Sequence, residues 1–390
     1  MDKFRDSFLR TVFGSFFLLL TGFIFVIAQD MPPTPAPMTR PVPLVSPEIH
    51  PDNTVTFRIS TSKSDTVIVN GDWEGGRGIE MTQDTTGRWS VTVGPLVPEF
   101  YGYTFNVDGV QVLDPANPLI KRDGTRNASQ LLISGEGADL YAVKDVPHGT
   151  LSKVWYPSPT LNLTRRMYVY IPSGYETSTV RYPVLYLLHG AGGDEDAWSM
   201  LGRTCQILDN LIVQGKAKPM IVVMPNGNAN QAGTPGEIPA AAQTSQEPAD
   251  RTRLSGMFEK SLVADIVPFV EQNYRVEKNK DHRAVAGLSM GGGHTIRITL
   301  DNPGMFSYIG VFSGLVRNVE EDQIKNLKAE NPKLYWIGCG KDDFLYADSQ
   351  TLVGLLQKYQ FKYIYRESTG GHTWANWRIY LSELAPLLFR

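Results

Sequence analysis

The sequence predicts an α/β protein: a unit with a mostly parallel central sheet, preceded by a small all-β sandwich. Three observations carry this. From about Lys153 onward, apolar strand-like runs alternate with helical periodicity to the end of the chain, the pattern of a parallel sheet covered on both faces. Residues 50 to about 140 instead show short alternating strands separated by turn signals. A proline-rich block separates both from the first 28 residues.

Composition sets the outer bounds. With 390 residues, 42% hydrophobic and 20% charged, the chain can bury a full core without disulfides or metal, and two or three domains are expected. A net charge of −3 excludes wholesale nucleic-acid binding, and the apolar fraction excludes disorder. Two cysteines, Cys205 and Cys339, cannot build a disulfide framework or a cysteine-rich zinc site. The 36 Gly and 26 Pro imply a loop-rich chain with substantial β structure.

Residues 1–28 have the form of an export signal. Lys3, Arg5 and Arg10 precede an apolar run from Val12 to Ala28, and Val26 and Ala28 suit a cleavage site before Gln29. The run is also close to the length of a membrane span, so a retained anchor is the alternative to a cleaved signal. No cysteine lies nearby for lipid attachment. Residues 29–47 form a linker; Met31–Pro47 holds seven prolines in 17 residues, an extended spacer.

Residues 48–140 are expected to fold as an immunoglobulin-like sandwich of about seven strands. Val55, Phe57 and Ile59 alternate with polar neighbours, as do Trp89, Val91 and Val93, then Tyr101, Tyr103, Phe105 and Val107. Asp108-Gly109 between Val107 and Val110 marks a two-residue hairpin. In residues 141–390, strands are expected at Met167–Ile171, Val184–Leu188, Met220–Met224, Ala284–Ala286, Tyr308–Phe312, Leu334–Ile337 and Phe361–Tyr365. Helices are expected over Phe258–Asn273 and after Gly291, Ala347 and Trp374. The segment 226–257, rich in Ala, Gly, Gln and Pro, is long for a connection and is expected to be a binding loop or lid, or else a disordered insertion.

The sharpest motif is Gly287-Leu288-Ser289-Met290-Gly291, with an apolar strand before it and a helix after. A nucleophile elbow needs this arrangement: a serine on a tight strand-to-helix turn, with glycines two residues to either side where backbones pass closely. Serine needs a general base. Of the six histidines, His50 and His148 fall at the edges of the β unit, and His282 at the far end of the elbow strand. His294 lies inside the following helix, and His189 opens the glycine turn Gly190-Ala191-Gly192-Gly193 in a structural role. His372 remains, on a loop after the last strand, where strand C-termini share one crevice. The third member is Asp343 or Asp342, on the loop after Leu334–Gly338; Asp343 fits the usual spacing of an acid loop, and Asp342 stays open. The order serine, acid, histidine is that of α/β-hydrolases, which makes this the expected fold of residues 141–390. The amides of Ala191 and Met290 are the candidate oxyanion donors.

On Tyr186–Gly193, Ala286–Thr295, Gly338–Asp343 and Gly370–Trp377, the chain resembles feruloyl esterases of carbohydrate esterase family 1, over roughly residues 150–390. Val69–Trp73 and Leu113–Pro118 resemble the family 48 carbohydrate-binding modules placed before such enzymes. Trp73 and Trp89 suit either sugar stacking or, more favourably, core packing. The resemblance implies a serine esterase that releases ferulic or related hydroxycinnamic acids from arabinoxylan through an acyl-enzyme. It implies Ser289 as nucleophile, His372 as base and Asp343 as acid, with no cofactor or metal. Trp374 and Trp198 are candidate contacts for an aromatic acyl group, and His294 joins them as a substrate-side candidate. The expected partner is feruloylated arabinoxylan or its oligosaccharides, with no nucleic acid and a membrane only if the N-terminal segment is retained. Competing expectations are an acetyl-xylan or short-chain carbohydrate esterase and a non-catalytic surface glycan-binding protein.

Overall fold

The computed structural model describes residues 43–234 and 255–390. The export segment, the start of the spacer and most of segment 226–257 lie outside the described residues. Among the described residues no helix is long and apolar enough to cross a membrane.

Alternating patterns build two antiparallel sheets first. One runs β1 (Glu48–Ile49), β2 (Val55–Ser60), β6 (Arg88–Val93), β5 (Thr82–Gln83). The other runs β4 (Ile79–Glu80), β3 (Val67–Gly71), β7 (Phe100–Val107), β10 (Arg126–Leu132), β9 (Ile120–Asp123), with β8 (Val110–Val112) paired to β7. Ten strands replace the seven expected, because three of them span only two residues and leave no periodicity to detect. Val107 pairs with Val110 across Asp108 and Gly109, both at positive φ (49° and 88°), as a type I′ hairpin requires. Val55, Phe57, Val69, Tyr103 and Phe105 fill the sandwich core, and Trp73 stacks on Phe57 at 5.7 Å. Trp73 and Trp89 are both buried there, so neither offers a face to a sugar.

The third sheet has eight strands in the order β11 (Thr150–Ser158), β12 (Leu163–Ile171), β14 (Ile221–Pro225), β13 (Val184–Leu188), β15 (Arg283–Leu288), β16 (Tyr308–Phe312), β17 (Leu334–Gly340), β18 (Ile364–Ser368). From β14 to β18 every pairing is parallel; β11 and β12 add an antiparallel edge. Side chains alternate between two cores. Leu185, Leu187, Val222 and Ala286 face one side, while Val184, Tyr186, Val223 and Val285 face the other. Helices cover both faces, and one of them, over Met257–Asn273, contains a single π turn at Leu262–Ile266. The last strand begins three residues later than the sequence predicts, because Phe361 packs against Tyr335 before the chain joins the sheet. The C-terminal ends of β13, β15, β17 and β18 carry His189, Ser289, Asp343 and His372 on the loops that follow.

Candidate active site

Ser289 ends β15 and begins the helix Met290–Asp301 at φ 54° and ψ −116°, a conformation costly for any residue with a Cβ. Neighbouring glycines make the turn fit. A Cβ on Gly287 would stand 2.3 Å from the Gly291 carbonyl oxygen, and one on Gly291 would stand 2.5 Å from that of Leu188. The Ser289 amide donates to Phe312 O at 2.8 Å, and its carbonyl accepts from Gly293 N at 3.0 Å, pinning the residue on both sides.

His189 supports the facing loop. Its Nε2 lies 2.7 Å from Gly227 N, which can only donate, so Nδ1 carries the proton and donates to Gly190 O at 2.8 Å. Full burial holds its pKa below the usual histidine value, and the ring is neutral. The loop it braces presents Ala191 beside Ser289, on the border of two cavities. Met290 lines one of them.

Asp343 follows β17 with its side chain buried, and His372 Nδ1 lies 2.9 and 3.0 Å from its two carboxylate oxygens. Burial by itself would raise the carboxyl pKa. Hydrogen bonds from His372, the Leu345 amide (2.8 Å) and Ser313 outweigh it and hold Asp343 below the usual carboxylate range. The imidazole is gripped between Phe344, 4.3 Å away, and the edge-on ring of Trp377 at 4.8 Å. Trp377 in turn donates to Ser313 Oγ at 3.2 Å. Asp342 is exposed and its amide bonds Gly370 O, so it lies outside this relay. Ser289 and His372 line the same cavity of about 430 Å³. No hydrogen bond joins Ser289 Oγ to the imidazole among the described residues, and such contacts often tighten only when substrate binds.

The remaining sequence candidates divide. Trp374 lines the cavity. Trp198 does not: it is 1% exposed, donates to Leu188 O at 2.9 Å and packs edge-on beneath Trp374 at 5.3 Å. A Trp198 contact to substrate is therefore corrected to a supporting contact to Trp374. His294 borders a second cavity of about 760 Å³, with Nδ1 2.9 Å from Glu259 Oε1. His148 pairs with Asp209, His282 with Asn279 and His50 with Thr56, all away from the site.

Two groups of site residues escape sequence reasoning. Phe344 is 74% exposed beside His372 and lines the second cavity; its place directly after Asp343 was the only signal available. The other group is the sandwich itself, whose Asp72, Glu99, Phe100, Tyr101, Lys121 and Asp123 complete the wall of the Ser289 cavity. Only Asp72 falls in a motif singled out from the sequence, Val69–Trp73, and nothing local marks any of the six as facing Ser289. Among the described residues no group of three His, Cys, Asp or Glu side chains is placed to hold a metal ion.

An elbow serine, a carboxylate-oriented histidine and a parallel sheet carrying both at its C-terminal edge define the α/β-hydrolase class. The chain belongs to the esterase family: the model described as "Putative esterase" matches residues 158–388. An endo-1,4-beta-xylanase/feruloyl esterase of Xylanibacter ruminicola is 33% identical over 375 residues, covering 91% of this chain and 47% of that protein. The chain thus spans about half the length of that relative. Among solved structures, a ferulic acid esterase from Anaeromyces mucronatus in complex with ferulic acid is 26% identical, with a TM-score of 0.55 over 66% of this chain and 98% of that one. The enterobactin esterase of Shigella flexneri, 18% identical, shares the fold over 86% of this chain and 94% of its own, with a TM-score of 0.59.

Proposed function

We propose that the protein is a serine carboxylic-ester hydrolase that releases ferulic or a related hydroxycinnamic acid from arabinoxylan. The observation that carries it is His372, held through Nδ1 by buried Asp343 and lining one cavity with the elbow Ser289. With Nδ1 engaged, Nε2 is the nitrogen free to take the Ser289 proton as Oγ attacks the ester carbonyl. The amides of Ala191 and Met290 receive the oxyanion, each worth about 3 kcal/mol of transition-state stabilisation. His372 then protonates the departing sugar oxygen, leaving the acyl group on Ser289. Water, deprotonated by the same nitrogen, cleaves that ester and restores the serine. Asp343 stays ionised throughout and stabilises the imidazolium.

The apolar part of the second cavity, with Ile296, Leu300, Leu315 and Phe344, supports a bulky aromatic acyl group over acetate. The relatives' names agree with this preference. The basic and then apolar N-terminus supports export to where polysaccharide is found. The test is a substrate panel of methyl ferulate, an acetylated xyloside and arabinoxylan, run beside Ser289→Ala. Ferulate release by the native chain is expected, with kcat reduced about 10⁶-fold in the variant. Acetate release without ferulate release would replace the substrate, and an active Ser289→Ala would remove the mechanism.

A further inference from the structure

Ala191 sits in a segment that its own sequence leaves loose. Gly190-Ala191-Gly192-Gly193 closes as a turn, with Gly193 N donating to Gly190 O at 3.2 Å. Gly192 takes φ 81°, the left-handed value of the third residue in a type II turn. The turn uses the amide of its fourth residue, so the amide of its second, Ala191, is left over for a ligand. Three of the four residues are glycine and impose no backbone geometry of their own. The direction of the Ala191 amide therefore has to be set from outside the turn.

The segment Asn226-Gly227-Asn228, just past β14, meets this turn at three points. Before it, the Gly227 amide donates to His189 Nε2 at 2.7 Å. At its end, Asn228 Nδ2 donates to Gly193 O at 2.9 Å. Two residues further on, Glu195 Oε2 accepts from Asn226 Nδ2 at 3.0 Å. Gly227 also abuts the residue of the other expected oxyanion donor, since a Cβ there would stand 3.4 Å from Met290 Cε.

Buried charge fixes the segment in turn. Arg165, with no exposed surface, donates from Nη2 to Asn226 O at 2.7 Å and to Asn228 O at 2.8 Å. Arg166 Nε holds Glu195 Oε1 at 2.6 Å, and the same oxygen accepts from the Thr234 amide at 2.9 Å. Asn226 Oδ1 accepts from the Asn228 amide at 2.9 Å and from Asn228 Nδ2 at 3.0 Å. Gly193 O and Asn226 Oδ1 are both acceptors, so the atom of Asn228 lying between them is its donor nitrogen.

We propose that Asn228 is a positioning residue for catalysis. Through Gly193 O it holds the turn that aims the Ala191 amide at the oxyanion, while His189 and Asn226 fix the turn's two flanks. Binding of the neutral ester calls little on this brace; negative charge developing on the carbonyl oxygen calls on it fully. The inference rests on the esterase function proposed above and adds which residues outside the triad set the oxyanion geometry.

The test uses the full chain and its Asn228→Ala and Asn228→Asp variants on methyl ferulate, with rates normalised by active-site titration so that only folded enzyme counts. Asn228 is half-buried, and aspartate keeps its shape while losing the donor. Both variants are expected to lose about 30-fold in kcat with KM changed less than about twofold, short of the roughly 10²-fold lost with an oxyanion donor itself. A second probe is an aryl trifluoromethyl ketone. Ser289 Oγ adds to its carbonyl carbon, the serine proton passes to His372, and the C=O electron pair becomes a bound oxyanion. Its inhibition constant is expected to rise by the factor that kcat falls, while that of ferulate, which forms no oxyanion, stays within about twofold. Unchanged kcat, or equal weakening of ketone and ferulate, would overturn the proposal, since a merely structural role disturbs both alike. In those outcomes the esterase function stands, because the native chain still cleaves methyl ferulate. A native chain inactive on that ester would overturn the function and this inference together.

Discussion

Asp342 and Asp343 are adjacent carboxylates in opposite environments. Asp343 is buried and accepts hydrogen bonds from His372 and the Leu345 amide, while Asp342 faces solvent. Asp343→Asn is expected to lower kcat by about 10⁴, since an amide cannot hold the imidazole in the required tautomer or stabilise its charge. Asp342→Asn should change kcat less than about threefold; measuring both on methyl ferulate separates them, and a reversed order would reassign the acid. His189 gives a second test at this scale. Its folded pKa is depressed below 6.5 by burial, so the unfolded chain binds the proton first. Stability attached to this ring is present above pH 6.5 and is lost as pH falls toward the folded value. Urea unfolding at pH 7 and pH 5 should show a smaller acid-dependent loss in His189→Gln than in the native chain. Identical losses would mean that the buried ring protonates as easily as a free one.

Among the elements, the elbow shows why glycine positions matter more than the bare pentapeptide. Gly287 lets β15 pass the first turn of the next helix, where a methyl group would meet the Gly291 carbonyl at 2.3 Å. Gly287→Ala must shift backbone that is hydrogen-bonded on both sides. A destabilisation of about 3 kcal/mol is expected, together with loss of activity; thermal unfolding and methyl ferulate hydrolysis would check it. A variant with native stability and rate would show that the contact is relieved without cost. The central strands were legible because burial on both faces leaves uninterrupted apolar runs such as Val184–Leu188. The edges were less so. In β11, Lys153 and Trp155 alternate with half-buried residues and print no continuous run, while β18 is nowhere fully buried and its strand is expected three residues too early.

Across the whole molecule, two arginines make the ion pairs that join the sandwich to the catalytic unit among the described residues. Arg122 on β9 donates to both oxygens of Asp194, at 2.7 and 2.8 Å, and also pairs with Asp196, just beyond the loop that holds Ala191. Arg378, on the helix Trp374–Leu384, reaches Glu99 at 2.7 Å and lies near the Tyr141 ring. Arg122→Ala would leave two neighbouring carboxylates without their shared cation. It should lower stability by about 2 kcal/mol, seen as a reduced urea midpoint, with Arg122→Lys recovering only part because it lacks the planar fork. An unchanged midpoint in Arg122→Ala would mean that the sandwich docks without this contact.

What the sequence determined by itself is whatever is written locally. The mostly parallel α/β layout follows from apolar runs, its α/β-hydrolase assignment from the order serine, acid, histidine, and the elbow at Ser289 from a strand, a turn and a helix within about a dozen residues. The membership of His372 in the same crevice follows from the rule that parallel strands end together. Tertiary structure alone decided contacts that depend on how separately patterned surfaces meet. It hydrogen-bonded Asp343 to His372, buried Trp198 beneath Trp374, and brought Asp72, Lys121 and Asp123 to the wall beside Ser289. Periodicity reports which side of an element is buried, but not which partner buries it. Residues 72–123 and 288–378 meet only when two finished surfaces dock.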